Sequence, residues 1–182
     1  MSTAIICASG PSLSAEDCAL ASRSGHPIIA VNSSWRAVPE CSYIYAGDLQ
    51  WWDLNIPAIP STPERWTCNL RAHLRYGIKL FQTDTGATFN SGQRAILFAH
   101  WLGAKHIILL GFDCSIANGS HWHGDHSVLD NPTAANVKRW RGEFGHIAQS
   151  LSHVNIINSS RETAMSCFRR MPLNEALSEV DR

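Results

Sequence analysis

Short apolar runs alternate with amphipathic stretches along the whole chain. "TAIICAS" (3–9) is a β-prone run that stops at "GPSLS", and "AEDCALASR" (15–23) then reads as a helix. "PIIAVNSS" (27–34) and "CSYIYAGD" (41–48) give a second and a third strand, "WTCNL" (66–70) a short one and "GIKLFQT" (77–83) an edge strand. Past "TGATFNSG" (85–92), "QRAILFAHWLGA" (93–104) carries apolar residues on a helical period, with Gly103 near its end. "KHIILLGFD" (105–113) is the clearest strand, a continuous apolar run of the kind that fills the centre of a parallel sheet. "NPTAANVKRWRGEFGHIAQSL" (131–151) predicts a long helix starting near Asn131 or Thr133, with a soft point at Gly142. "VNIINSS" (154–160) reads as the last strand and "NEALSEV" (174–180) as a short terminal helix.

Strands alternating with helices predict an α/β chain: a single Rossmann-like domain, mostly parallel, with helices on both faces of the sheet. Length agrees, because 182 residues suit one core and not two. The Pro-rich "NIPAIPSTPERW" (55–66) is therefore expected as a surface loop and not as a domain linker.

Composition narrows the function classes. Hydrophobic residues at 45% and charged residues at 16% describe an ordinary globular chain. Fifteen basic residues balance fifteen acidic ones, so no net field favours nucleic acid or anionic lipid. No apolar stretch is long enough to span a bilayer, and the start "MSTAIICASGPSL" lacks the pattern of a secretory signal. Six scattered cysteines without a C-x-x-C pair suit a reducing, cytoplasmic setting.

In such a sheet, ligands bind outside the carboxyl ends of the strands. Small polar residues gather there: Ser9-Gly10-Pro11-Ser12, Asn32-Ser33-Ser34, Gly47-Asp48, Gly111-Phe112-Asp113 and Asn158-Ser159-Ser160. These residue types suit a nucleotide, whose phosphates need close N–H groups and whose ribose and base need short hydrogen-bonding side chains. The competing reading is that Gly, Ser and Asn merely form turns. The first loop is neither G-x-G-x-x-G nor a P-loop.

"IICASGPSL" resembles the G-x-G-P-S-L start of the single-domain bacterial sialyltransferases. It resembles equally that of the 6-hydroxymethyl-dihydropterin pyrophosphokinases and their flagellin-glycosylation relatives. "VNSSW", "FNSGQRAILFAHWLGAKHIILLGFD", "NGSHW" and "VNIINSS" continue the likeness in order, from residue 4 to about 168. Small phage-encoded proteins, some labelled norphogenetic, look closer still around "HWHGDH". The resemblance implies that Ser9, Gly10, Pro11 and Ser12 line the nucleotide phosphate and ribose. It implies further that Asn32 contacts the nucleotide, Ser91 and Gly92 the donor's phosphate or sugar, and that His121 is a general base. Three departures stand out: Ser9 replaces the family's first glycine, the arginine before its "TSG" is missing, and its tyrosine-rich lid has no counterpart. Arg94, just past the motif, is the nearest substitute for that arginine.

"SHWHGDH" (120–126) admits several readings. H-x-H-x-D-H is the spelling of a binuclear metallo-β-lactamase site, yet that fold needs paired hairpins and a long downstream sheet. A single ion held by His121, His123 and His126, with Asp113 or Asp48 as an oxygen ligand, is a second reading. In a third, His121 is a metal-free general base oriented by Asp125. A polar loop without chemistry is the fourth. Outside this cluster, Trp51 and Trp52 are candidates for a pocket floor, and Arg161 for a phosphate contact.

Together these observations predict glycosyltransferase-like transfer from a nucleotide-activated donor to a small-molecule or glycan acceptor. The chemistry is expected to be metal-independent, with His121 and Asp125 catalytic. Ser9, Gly10, Pro11, Ser12, Asn32, Ser33, Asp48, Ser91, Gly92 and Asp113 are expected to bind the nucleotide, and residues 115–132 to form the active-site loop. Two alternatives are a Mg²⁺-dependent pyrophosphokinase acting on a hydroxymethyl acceptor and a non-catalytic phage nucleotide-binding protein.

Overall fold

The computed structural model describes residues 1–83 and 88–182, so positions 85–87 of "TGATFNSG" lie outside the described residues. The strands are β1 (Thr3–Cys7), β2 (Ile28–Val31), β3 (Tyr43–Tyr45), β4 (Glu64–Thr67), β5 (Lys79–Leu80), β6 (His106–Leu110), β7 (Asn155–Asn158) and β8 (Arg169–Arg170). The helices are α1 (Ala15–Arg23), α2 (Leu49–Asn55), α3 (Leu70–Tyr76), α4 (Ser91–Trp101), α5 (Ala134–Ser150) and α6 (Leu173–Val180). Among the described residues one eight-stranded sheet forms in the order β5-β4-β3-β2-β1-β6-β7-β8, and every pairing is parallel. The chain is therefore α/β and Rossmann-like, and a hairpin sandwich around the histidines is ruled out.

Period-two alternation sends β1 and β6 into two separate cores. Ala4, Ile6, Ile107 and Leu109 pack on one face, with Phe98 of α4 and Phe144 and Ile147 of α5. Ile5, Cys7, Ile108 and Leu110 pack on the other, with Cys18 and Ala21 of α1, Trp51 and Trp52 of α2, and Leu173 and Leu177 of α6. Because both faces are covered, these strands read as unbroken apolar runs.

Chain direction across the sheet reverses once. From β1 the chain steps outward to β5 with α1, α2 and α3 on one face. Helix α4 then carries it back to β6, and α5 continues to β7, on the opposite face. Right-handed crossovers require this change of face when direction reverses. Connections therefore diverge between β1 and β6, and a crevice opens at the carboxyl ends of those two strands.

Several elements differ from expectation. Residues 55–66 are not wholly a loop: Asn55 closes α2, Ile56–Ala58 form a 3-10 turn, Ile59 is buried, and Glu64 starts β4. Helix α3 was hidden by its length of seven residues, and its exposed Leu70 and Leu74 blur the amphipathic period. Strand β8 is two exposed arginines, without an apolar signal. Helix α5 runs unbroken through Gly142, and Thr133 is its cap, accepting from the Asn136 N–H in a reciprocal capping box.

At the β1–β6 junction two glycines let the backbones meet. Gly10 N–H donates to Gly111 O at 2.8 Å, and a Cβ on Gly10 would sit 2.2 Å from Asp113 Oδ1. Gly111 has φ +68°, and a Cβ there would lie 2.6 Å from Ala8 O. Gly111→Ala should therefore cost about 1–3 kcal/mol of stability in a denaturant titration. A change within about 0.5 kcal/mol, the range of ordinary surface substitutions, would contradict this packing.

Candidate functional site

A cleft of about 690 Å³, its open mouth included, lies at the β1–β6 divergence. Ser9 and Gly10 after β1, Asn32 after β2, Gly111 to Ser115 after β6, and Asn90, Ser91 and Gly92 at the start of α4 line it. Ser120 and His121 close one wall, and Val137, Trp140 and Phe144 of α5 close another. Two segments about 80 positions apart in sequence, Ser9-Gly10 and Asn90-Ser91-Gly92, thus face one space.

Their parts differ from expectation. The carboxylate of Asp113 accepts from Ser12 N–H at 2.9 Å and from Ser12 Oγ at 2.5 Å. Burial holds the Asp113 carboxyl above the usual range, and the Ser12 bonds oppose that shift without cancelling it. With Gly10 N–H held by Gly111 O, two of the amides expected to cradle a phosphate are spent inside the chain. Ser12 and Asp113 are accordingly a structural tie, and Pro11 packs toward Gly119 beside a smaller hollow shared with Asn118 and Glu162. Ser9 O accepts from Trp122 N–H at 2.9 Å, which anchors the 115–132 loop to β1.

Anion-binding capacity lies instead at the start of α4. Asn90 and Gln93 form a reciprocal capping box, with Asn90 Oδ1 accepting from Gln93 N–H at 2.9 Å and Gln93 Oε1 accepting from Asn90 N–H at 2.6 Å. The N–H groups of Ser91 and Gly92 open the helix with no carbonyl ahead of them in it, at the positive end of its dipole. Ser91 Oγ accepts from Gly47 N–H at 3.0 Å, which fixes this terminus against the end of β3.

Strain marks the same place. Asn32 (φ +50°) and Cys114 (φ +48°) are the two non-glycine residues at positive φ among those described, and both line the cleft. Asn32 Oδ1 and Trp140 Nε1 are buried there without hydrogen-bond partners, one an acceptor and the other a donor.

Other expected residues lie elsewhere. Ser33 turns into the core and its Oγ accepts from Trp51 Nε1 at 3.2 Å, while Trp52 Nε1 donates to Ala46 O at 3.0 Å. The tryptophan pair is therefore core on the α2 side and not a pocket floor. Asp48 is the exposed N-cap position of α2, outside the cleft lining. Arg161 is engaged with Glu16 and Asp17 at the start of α1, at 2.6 and 2.7 Å. Arg94 Nε donates to Phe89 O at 3.0 Å. Asn158 and Ser160 brace the backbone: Ser160 Oγ accepts from Phe112 N–H at 2.8 Å. Asn90 escaped the sequence reading, although the N-x-x-Q spacing of a capping box was visible there, while Ser115 and Ser120 fall within the expected 115–132 loop.

His121, His123 and His126 converge. Their ring centroids lie 4.7 to 5.1 Å apart, and one nitrogen from each falls within 4.8 Å of the others. Burial pushes His121 down to about 4, helped by His126 and His123 and opposed by Asp125. Burial lowers His123 and His126 as well. These shifts favour the neutral form of each imidazole. Nε2 of His121 and of His123 is buried without a partner. Asp125 is exposed and, among the described residues, makes no hydrogen bond to His121, so the expected orienting pair is replaced by a trio of imidazoles.

No protein-family model, curated protein or solved structure matches this chain. Among the described residues no helix is long and apolar enough to cross a membrane, and all six cysteines are unpaired.

If Asp113 is a tie, Asp113→Ala should destabilise the chain by about 1–3 kcal/mol, because Ser12 loses its acceptor. His126→Ala, in EDTA, should stay within about 0.5 kcal/mol. Equal effects of the two in chemical denaturation would contradict the division between tie and site.

Proposed function

We propose that the cleft binds a nucleotide-activated donor, foremost a nucleotide sugar, and that the chain transfers the activated group to a hydroxyl acceptor beside His121. The observation that carries this reading is Asn32. It lines the chain-reversal crevice and is held at positive φ, with Oδ1 buried and unpartnered. A side chain kept in that state, with Trp140 Nε1 as an opposing donor, suits the mixed donors and acceptors of a base or ribose.

The donor's phosphate belongs at Ser91 and Gly92, where open N–H groups and the α4 dipole favour the charge that grows as the bond breaks. The acceptor oxygen bonds the anomeric carbon and the phosphate oxygen leaves with the bonding pair. The acceptor's proton departs through the histidine cluster on this wall. In-line displacement inverts the carbon. Pyrophosphoryl transfer would need a carboxylate open to Mg²⁺. Asp113 already accepts two bonds from Ser12 and Asp48 stands outside the cleft lining, which favours the glycosyl reading. The sequence resemblance to the sialyltransferases and pyrophosphokinases supports a nucleotide but does not choose between chemistries.

A thermal-shift panel of CMP, CDP, UDP, GDP and ATP, with and without Mg²⁺, tests the reading. At least one of the four non-ATP nucleotides should raise Tm by several degrees without Mg²⁺. Asn32→Ala should weaken that nucleotide about tenfold, the scale of one lost hydrogen bond. No shift with any nucleotide would overturn the proposal, and so would a shift confined to ATP with Mg²⁺. Binding without turnover of any nucleotide sugar would make the chain a nucleotide-binding protein and remove the transfer step.

A further inference from the structure

We infer that His121, His123 and His126 form a site for one divalent transition ion of the zinc type, set into the wall of the cleft. Three imidazoles with a nitrogen each inside a 4.8 Å span are already gathered around one point. Zinc–nitrogen bonds of about 2.0–2.1 Å in tetrahedral geometry place ligand nitrogens about 3.3 Å apart, so the rings need to close by no more than about 1.5 Å. The cluster carries an unmet demand without an ion. Two of its Nε2 atoms are buried with no partner, and among the described residues no carboxylate stands within the triangle to accept a proton from any ring.

The backbone holds the arrangement. Trp122 N–H donates to Ser9 O at 2.9 Å, and Gly124 N–H closes a turn on His121 O at 3.1 Å. The His126 N–H and O are bridged by the Asn131 amide at 2.8 and 3.0 Å. A loop tied at His121 and His126 and on both sides of His123 in this way loses little freedom on binding. Two charged groups face the cluster from outside it: Asp125, whose carboxylate favours a cation, and exposed Arg36 at the end of the 3-10 turn after β2, which disfavours one.

Ligand type sets the class of ion. An all-imidazole trio selects zinc, cobalt, nickel or copper and discriminates against Mg²⁺ and Ca²⁺, which require oxygen. The site is mononuclear, because Asp125 of the H-x-H-x-D-H spelling lies outside the triangle. Three protein ligands leave a fourth position for water or a substrate oxygen. His121 lines the cleft, so the ion borders its occupant. Resting on the transfer reading, the ion coordinates the acceptor hydroxyl and lowers its pKa. The hydroxyl proton then passes to solvent, and the alkoxide attacks. With all three imidazoles on the ion, this replaces both His121 as a metal-free base and the direct passage of the proton through the rings.

The test uses the full chain, stripped with EDTA and exchanged into metal-free buffer. Titration with Zn²⁺ alone, read by calorimetry and by metal content after desalting, should give one equivalent. Co²⁺ in its place should give the intense visible bands of a tetrahedral site. His123→Ala and His126→Ala should each weaken Zn²⁺ about 100-fold or more, while His146→Ala, on the exposed side of α5, should bind as the parent does. Less than stoichiometric zinc, or zinc bound as tightly by the two cluster variants as by the parent, would overturn the inference. The nucleotide panel run on stripped protein keeps the two ideas apart. A nucleotide shift without zinc binding sinks the ion alone, and zinc binding without a nucleotide shift sinks the transfer reading alone.

Discussion

The carboxylate of Asp113, held by both the N–H and the hydroxyl of Ser12, joins the two halves of the chain where their helices part to opposite faces. A parallel sheet whose winding reverses must leave a gap between its two central strands' exits, and something must keep that gap from splaying. Here the contact is drawn so close that neither Gly10 nor Gly111 has room for a Cβ. Charge-assisted hydrogen bonds of this kind are about twice as strong as neutral ones, and this one is partly shielded from solvent.

The rest of the cleft follows from that closure. Since the loop after β1 is committed to β6, it cannot also wrap a phosphate, and the open N–H groups are those at the start of α4. The loop after β1 contributes a surface and an anchor, its Ser9 carbonyl holding the histidine loop through Trp122. Asn32, kept in a backbone region that few residues occupy, adds a polar atom that the fold itself leaves unused. Strain and unmet hydrogen bonding around one cavity are what binding energy can repay.

Much of the architecture was legible because its signals are periodic. Continuous apolar runs in β1, β2 and β6 reflect burial on both faces, and the helical periods of α4 and α5 reflect one buried side each. Helix α3 and strand β8 were not legible, since seven and two residues are too few for a period to register. At the site, residue type showed that small polar groups would collect at strand ends. It did not show which of them would be consumed by the fold. Ser33 and Asp113 look in sequence like ligand contacts, and in space they bond Trp51 and Ser12. Partners of that kind lie 18 and 101 positions away and leave no local trace. The histidine spacing announced a cluster, but whether Asp125 or a second imidazole would face His121 depended on the turn at Gly124.

Amide hydrogen exchange tests the central closure most directly. In the ligand-free chain, Gly10 and Ser12 N–H should exchange as slowly as the β1 core amides, while Ser91 and Gly92 exchange fast, because only the first pair is bonded within the chain. Rapid exchange at Gly10 and Ser12 would mean that the junction stands open with its amides free for a ligand, which contradicts a closure built on Asp113.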